Sequence, residues 1–237
     1  GTWSHINSPQ VVEIIGSTNL DFIVFDLEHG PHSISSLINL YIAADKSGIV
    51  PITRVQGLGN SNILKCLDSG SKGIVVPHID SFEKAETAIK QIYYGDTPEN
   101  RGVATLTRAS MFNMNNQLNY LHSQNDNIIS IFIIEDKKGM ESIDQICELK
   151  GLDVLFIGLY DLNQSLGFKG DVKNLDFIKI FHDLLKKLNK KNIAIGTYAP
   201  NAEEAIDMIE LGVSFITVNV DGAILRTSYE DLINKIV

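Results

Sequence analysis

Two runs of apolar, mostly β-branched residues, at positions 128–134 and 154–157, constrain this chain most strongly. Turn residues bound each run, and apolar positions recur at helical spacing between them. The pattern predicts a βαβ unit whose two strands are parallel and buried. Glu135 follows the first run and Asp161 lies just beyond the second, so both carboxylates are expected at the same edge of the sheet. Two carboxylates over one pocket suggest a hard divalent cation that keeps open positions for water or substrate.

The rest of the chain alternates strands and helices in the same way. Further strands are predicted at residues 2–6, 22–27, 50–55, 73–79, 193–198 and 215–220. Only residues 94–127, rich in Asn, Gly and Ser, interrupt the alternation, and we predict there a long loop that is a functional excursion or a subunit contact. Eight strands, each followed by a helix, predict a single α/β domain over residues 1–237, a (β/α)8 TIM barrel, with an open doubly wound sheet as the alternative.

Composition excludes several classes of partner. The net charge of −9 and the lack of a basic patch argue against binding to nucleic acid or to an anionic membrane. No stretch approaches the roughly 20 apolar residues that a membrane-spanning helix needs. The two cysteines, Cys66 and Cys147, lie in helical patterns and not in a CxxC motif, which predicts a reduced, cytoplasmic protein.

In such a barrel, chemistry collects after the carboxyl ends of the strands. The polar residues predicted at those ends form an acid, base and metal-binding set: Asp26, Glu28, His29, His32, Arg54, His78, Asp80, Glu135, Asp136, Tyr160, Asp161, Tyr198, Asn219 and Asp221. No Gly-rich phosphate cradle follows the last two strands, which disfavours a phosphorylated substrate.

His29, in a Glu-His-Gly-Pro turn, is the strongest histidine candidate. Structural or surface roles are favoured for the other histidines, of which His78 is the one to reconsider because it also ends a strand. The remaining members of this group are His5, His32, His122 and His182.

These residues fall within motifs that run nearly the whole length of the chain. The motifs are GTW at 1–3, FDLEHGP at 25–31, PITRV at 51–55, LDSGSKGIVVPHIDS at 67–81, the Arg-Gly pair at 101–102, IIED at 133–136, GLDVLFIG at 151–158, YDLNQSLG at 160–167 and LGVSFITVNVD at 211–221. In this order and spacing the chain resembles the HpcH/HpaI aldolases, the metal-dependent class II pyruvate aldolases of the phosphoenolpyruvate/pyruvate barrel superfamily.

The resemblance implies a site and a reaction. Glu135 and Asp161 match the ligands of a Mg²⁺, Mn²⁺ or Co²⁺ ion, and Arg54 matches the arginine that steadies the pyruvate enolate. His29 matches the acid/base histidine, and Asp68 matches the acid that pairs with it. The implied reaction is reversible cleavage of a 4-hydroxy-2-oxo acid to pyruvate and an aldehyde through a metal-bound enolate.

The resemblance also bears on the substrate pocket and on assembly. The backbone at residues 158–161, including Gly158, Tyr160 and Asp161, matches the loop that receives the pyruvate carboxylate. Asp26 and Glu28 match acids that flank the histidine. The family usually forms hexamers built from dimers, with the last helix packed on a neighbour, so a homo-oligomer, possibly a hexamer, is expected.

Departures from the family pattern keep other activities open. Ile133 stands where many members have Gln, and Leu159 and Tyr160 stand where they have Pro and Ala. One alternative is a lyase or decarboxylase acting on another 2-oxo acid, such as oxaloacetate or a 3-deoxy-2-oxo sugar acid. Another is a catalytically weakened binding subunit. Taken alone, Asp161 could equally be a helix cap and Glu135 a solvated strand end.

Overall fold

The computed structural model describes residues 1–112 and 117–236, and for residues 60 and 117–119 it describes the backbone alone. Within these ranges, eight parallel strands pair in chain order. Their bounds are β1 Thr2–Ser4, β2 Phe22–Asp26, β3 Val50–Arg54, β4 Gly73–Val76, β5 Ile129–Ile134, β6 Val154–Ile157, β7 Ala194–Ala199 and β8 Phe215–Val218. The Trp3 N–H donates to the Asn219 carbonyl at 3.2 Å and the Val218 N–H donates to the Gly1 carbonyl at 2.9 Å. These bonds bring β1 back to β8, so the predicted (β/α)8 barrel is confirmed and the open sheet is wrong.

Helices follow the strands on the outside of the barrel. Their bounds are α1 Pro9–Gly16, α2 Ile34–Ser47, α3 Asn60–Ser69, α4 Phe82–Ile92, α5 Gln117–Asp126, α6 Lys137–Ile146, α7 Leu159–Ser165, α8 Leu175–Leu188, α9 Ala202–Glu210 and α10 Asp221–Asn234. Ser8 and Ser81 cap α1 and α4, because their side chains accept hydrogen bonds from the backbone N–H groups of Val11 and Lys84. No helix in the described ranges is long and apolar enough to cross a membrane.

Two of these helices, α5 and α7, are additional to the one helix predicted after each strand. α5 lies inside the stretch predicted as a loop, and α7 follows β6 directly. α5 carries few apolar residues and α7 is only seven residues long, so neither shows the periodic apolar face that reveals a helix in a sequence. α7 matters for function because its first turn contains Tyr160 and Asp161.

The apolar residues form two layers, one on each side of the sheet. The layer inside the barrel includes Trp3, Val24, Ile52, Ile131 and Phe156. The larger layer lies between the sheet and the helices. Alternation along each strand produces this division, because successive side chains point to opposite faces. With its interior filled, the barrel is open to substrate only at its ends.

The described residues of the excursion at 94–127 lie at the end of the barrel where the strands begin. It connects the end of α4 to the start of β5, and residues 113–116 lie outside the described part. Arg108 ties it to the Ser69 carbonyl at the end of α3 (3.2 Å) and pairs with Asp45 in α2. Within one chain the described part of the excursion is therefore remote from the carboxyl ends of the strands.

Candidate functional site

A cavity of about 270 Å³ opens at the carboxyl ends of the strands. Most of the predicted site residues line it: His29, Arg54, Glu135, Gly158, Tyr160 and Asp161. The remaining lining residues are His5 and a mostly apolar group, namely Trp3, Ile133, Phe156, Leu159, Tyr198 and Val220. The cavity thus collects residues from β1 to β3 and from β5 to β8, at the end of the barrel where the sequence predicts the chemistry.

The side chain of Arg54 is held by two carboxylates and by an aromatic ring. Its Nε and Nη2 donate to the two carboxylate oxygens of Asp26 at 2.8 and 2.6 Å, and its Nη1 lies 3.1 Å from Glu28. The guanidinium also stacks on the ring of Trp3, 4.5 Å from the centroid. An arginine has five N–H groups, and the contacts with Asp26 and Glu28 use three of them. Two N–H groups therefore remain for a ligand.

Asp26 is fully buried at the end of β2. Burial by itself would raise the pKa of Asp26, but the hydrogen bonds and charge of Arg54 outweigh it and hold that pKa below its usual range. The backbone N–H of Glu28 donates to the same carboxylate at 3.0 Å. This bond shapes the turn at 27–32, and a side chain at Gly30 would collide with the Asp26 carbonyl. The turn presents Glu28 and His29 at the mouth.

Glu135 lies at the end of β5 and is almost completely buried. Its Oε1 accepts from the backbone N–H of His78 at 2.7 Å, and the Nδ1 of the same histidine is also 2.7 Å away. Among the described residues no donor reaches Oε2. Gly158 packs against this oxygen so closely that a Cβ there would lie 3.0 Å from it.

The donor set is suited to a divalent cation. Burial raises the pKa of Glu135, and the nearby charges of Asp161 and Glu28 raise it further against the opposing effect of His78. Excess negative charge in a partly buried cavity favours a bound cation. A metal site made only of protein ligands needs at least three His, Cys, Asp or Glu side chains close together. Within the described ranges there is no such group. Two carboxylates with open positions are nevertheless what Mg²⁺ usually takes from protein.

Asp161 is the third residue of α7 and does not cap that helix. Gly158 occupies the cap position, and no side chain forms a capping hydrogen bond there. The interpretation of Asp161 as a helix cap is therefore wrong, and its carboxylate is exposed beside Glu135 in the cavity.

The predicted pairing of His29 with Asp68 is not found within the chain. Asp68 lies near the end of α3, just before β4, whereas His29 follows the carboxyl end of β2, so the barrel separates them. The Asp68 carboxylate instead accepts from the buried Arg101 at 2.7 Å. Arg101 stacks in turn on Tyr94. Within a single chain, Asp68 therefore cannot be the carboxylate that orients His29.

Two histidines for which the sequence favours structural or surface roles, His5 and His78, belong to the site. His5 lines the cavity, and its Nε2 lies 3.0 Å from Asp26. Its backbone N–H donates to Asp221, which is buried at the start of α10. His78 contacts Glu135 and also Glu28, whose Oε1 is 2.9 Å from its Nε2. Both follow the carboxyl ends of strands, the same signal that selected the other candidates.

Comparison with known proteins identifies the family. The sequence model of the HpcH/HpaI aldolase/citrate lyase family matches residues 1–228. This chain belongs to that family. The predicted resemblance is thereby confirmed, and with it the enzyme class: a lyase of the metal-dependent class II pyruvate aldolases.

Individual relatives agree with this membership of the HpcH/HpaI family. A 5-keto-4-deoxy-D-glucarate aldolase of Escherichia coli strain ATCC 8739 is 30% identical, with 98% of this chain and 90% of the relative covered. A solved HpcH/HpaI family protein from Burkholderia cenocepacia J2315 is 25% identical with a TM-score of 0.93, covering 100% of this chain and 93% of that one. The citrate synthase SbnG is 28% identical with a TM-score of 0.84, covering 99% and 91%.

Proposed function

We propose that this chain reversibly cleaves a 4-hydroxy-2-oxo acid into pyruvate and an aldehyde. The observation that carries the proposal is the convergence of Glu135, Asp161, Arg54 and His29 on one cavity at the carboxyl ends of the strands. These side chains provide two anionic oxygens for a cation, a fixed positive charge and an imidazole. Aldol cleavage needs these functions together.

Glu135, through Oε2, and Asp161 would hold a Mg²⁺, Mn²⁺ or Co²⁺ ion. When bound there, the ion supplies Lewis acidity at the 2-oxo group of the substrate. The segment at 158–161 lines the same part of the cavity, and we assign Gly158, Tyr160 and Asp161 to reception of the substrate carboxylate.

His29 would accept the proton of the 4-hydroxyl as the bond between C3 and C4 breaks. The bonding pair passes to C3 and the 2-oxo oxygen to form an enolate, and C4 leaves as the aldehyde carbon. Return of a proton to C3 gives pyruvate. The two N–H groups of Arg54 that Asp26 and Glu28 leave unused are suited to the developing negative charge.

The identity of the aldehyde part is a separate question. A relative is named for 5-keto-4-deoxy-D-glucarate, so deoxy-keto sugar acids are the first substrates to test. Oxaloacetate decarboxylation is the second candidate, because the same set of residues would stabilise the enolate that forms when CO₂ leaves.

The direct test measures pyruvate release from a panel of 4-hydroxy-2-oxo acids, deoxy-keto sugar acids and oxaloacetate with each metal. The Glu135→Ala, Asp161→Ala double variant should lose activity on every substrate. A Glu148→Ala variant is the matched control, because Glu148 is an exposed acid remote from the cavity. Unchanged turnover in the double variant would overturn the proposal. Pyruvate and metal binding without turnover on any substrate would favour the weakened binding subunit.

We also propose that the protein is a homo-oligomer, with a hexamer as the expected form. The closing helix α10 exposes a row of large apolar side chains, each between 44% and 61% accessible: Ile224, Leu225, Tyr229, Leu232 and Ile233. The outer faces of α1 and α9 expose further apolar residues: Ile14, Ile206 and Ile209. Exposed apolar area of this extent is typical of an interface. Light scattering should give a mass several times that of the 26.2 kDa chain, and Leu232→Asp with Ile233→Asp should reduce it.

The remaining parts of the proposal rest on composition. We expect small 2-oxo acids and aldehydes as the ligands, with no nucleic acid or membrane partner, in keeping with the net charge of −9. A cytoplasmic location is proposed from the two cysteines. Cys66 and Cys147 do not form a disulfide with each other, and burial raises the pKa of the Cys66 thiol to about 12.

A further inference from the structure

His78 connects two acidic groups of the cavity mouth. Its backbone N–H and its Nδ1 both lie 2.7 Å from Oε1 of Glu135, and its Nε2 lies 2.9 Å from Oε1 of Glu28. Glu28 in turn contacts Arg54 at 3.1 Å. The side chain of His78 is 61% exposed, so apolar burial does not account for its position.

The backbone of His78 is in an unusual conformation. Its φ is 56°, in the left-handed region that residues with a Cβ rarely adopt. Such a conformation persists where the surroundings hold it, and it is frequent at ligand sites. Here it allows the backbone N–H and the ring of one residue to reach the same carboxylate oxygen. The strain is thus directly linked to the contact with Glu135.

The contact determines which oxygen of Glu135 is available. Both His78 atoms lie against Oε1, while Oε2 lies beside Gly158 and no donor among the described residues reaches it. The backbone N–H donates to Oε1, and Nδ1 of the ring, when it carries the proton, is a second donor to the same oxygen. Glu135 is therefore held in one orientation, with Oε2 on the side of Asp161 and the α7 turn.

We propose that His78 is a positioning residue for the cation site. It fixes Glu135 so that Oε2 faces the cation, and it links that carboxylate through Glu28 to Arg54. Hydrogen bonds to metal ligands commonly tune metal affinity in this way. The inference rests on the proposed function, since it requires Glu135 to be a metal ligand, and it adds a residue that the family resemblance did not select.

The test measures Mn²⁺ binding to the metal-stripped full-length protein by titration calorimetry and by electron paramagnetic resonance. The informative variant is His78→Gly, because glycine accepts a φ of 56° and keeps the backbone N–H, so only the ring is lost. We expect Mn²⁺ affinity to fall about 10- to 100-fold. In His78→Asn, which tolerates the left-handed region and has an amide in place of the ring, part of the loss should be recovered.

Lys169→Gly is the matched control. Lys169 also has a φ of 56°, but it is exposed in the connection between α7 and α8. Its replacement makes the same backbone change without touching the carboxylates, and it should leave Mn²⁺ affinity within about twofold of the wild type. Circular dichroism of all variants checks that the barrel is folded.

The outcomes separate this inference from the proposed function. If the wild-type protein binds no Mn²⁺, the proposed cation site is wrong and this inference falls with it. If the wild type binds Mn²⁺ and His78→Gly binds it equally well, the proposed function stands and His78 has no positioning role. An equal loss in His78→Gly and Lys169→Gly would also overturn the inference, since the loss would then come from the backbone change.

Discussion

The two walls of the cavity are built from different interactions. The charged wall is defined as the lining residues His5, Arg54 and Glu135 together with the residues that contact them, Asp26, Glu28 and His78. It is a continuous series of contacts between 2.6 and 3.1 Å long. The aromatic wall, defined as Leu159, Tyr160, Tyr198 and Val220, lies at the carboxyl ends of β6, β7 and β8. Its two tyrosine rings lie 6.1 Å apart and tilted, and Tyr160 is half exposed.

This difference between the two walls suggests that they have different roles in the reaction. In the charged wall, loss of one member leaves a partly buried partner without its opposite charge, so each residue is tightly constrained. Contacts between half-exposed apolar side chains cost less to change. We infer that the charged wall serves the chemistry common to all substrates and that the aromatic wall selects the aldehyde part.

Arg54→Ala should produce the largest effect on catalysis. It removes the fixed positive charge from the position where the enolate forms, and removal of one such donor typically costs about 10²- to 10³-fold in rate. Arg54→Lys is the matched control, because it keeps the charge but cannot bind Asp26 with two parallel hydrogen bonds. Steady-state kinetics of both variants check this. A rate for Arg54→Ala within a few-fold of the wild type would mean that the charged wall is structural.

Asp26→Asn should mainly reduce stability. The change leaves Arg54 and His5 facing a neutral amide, and we expect a loss of about 2 kcal/mol in unfolding free energy at neutral pH. Urea unfolding measures the loss. Asp144→Asn is the control, because the Asp144 carboxylate pairs with Lys187 and Lys191 on the surface and its loss should have a much smaller effect.

The wild-type protein and the Asp26→Asn variant together give a test of how stability depends on pH. The pKa of Asp26 is lower in the folded chain than in the unfolded one, because the pairing with Arg54 outweighs burial. Its contribution to stability is therefore complete above the ordinary carboxyl pKa of about 4 and is lost as the pH falls through the depressed folded value. The stability difference between wild type and Asp26→Asn should shrink in acid. A difference that grew in acid would contradict the assigned direction.

Tyr160→Ala should have the smallest effect on the common chemistry. The exposed ring contributes less than about 1 kcal/mol of contact energy, so turnover should change only a few-fold. The KM values for substrates with different aldehyde parts should change unequally. Leu175→Ala, which removes an exposed large apolar side chain of α8 that neither lines the cavity nor belongs to the proposed interface, is the control. Equal shifts for every substrate would remove the distinction between the two walls.

The sequence was sufficient for the parts of the molecule that depend on local pattern. Apolar runs with turns between them identified all eight strands, although several observed strands end two or three residues earlier than predicted, as β1 does at Ser4. Beyond β4 and β8, His78 and Asn219 have φ values of 56° and 55°, so the extended backbone ends before these polar residues. The position of Glu135, Asp161, Arg54 and His29 in one cavity followed from strand order alone.

Contacts that depend on long-range geometry were not predicted. His78 and Glu135 are 57 residues apart in the sequence, and His5 and Asp26 are 21 apart. No local pattern records these pairings. Asp68 illustrates the opposite error, because a motif match suggested a partner for His29 that the direction of α3 rules out within one chain. Strand and helix directions, applied to each candidate, would have excluded that pairing.

The central claim is that this cavity forms the enolate of pyruvate, and proton exchange at the pyruvate methyl group in D₂O tests it without any assumption about the aldehyde. We expect NMR to detect exchange in the protein reconstituted with Mg²⁺ or Mn²⁺. Exchange should be absent from the metal-stripped protein and strongly reduced in Arg54→Ala. Lack of exchange in the wild-type protein with metal bound would contradict the claim and direct the search to other 2-oxo acids or to a binding function.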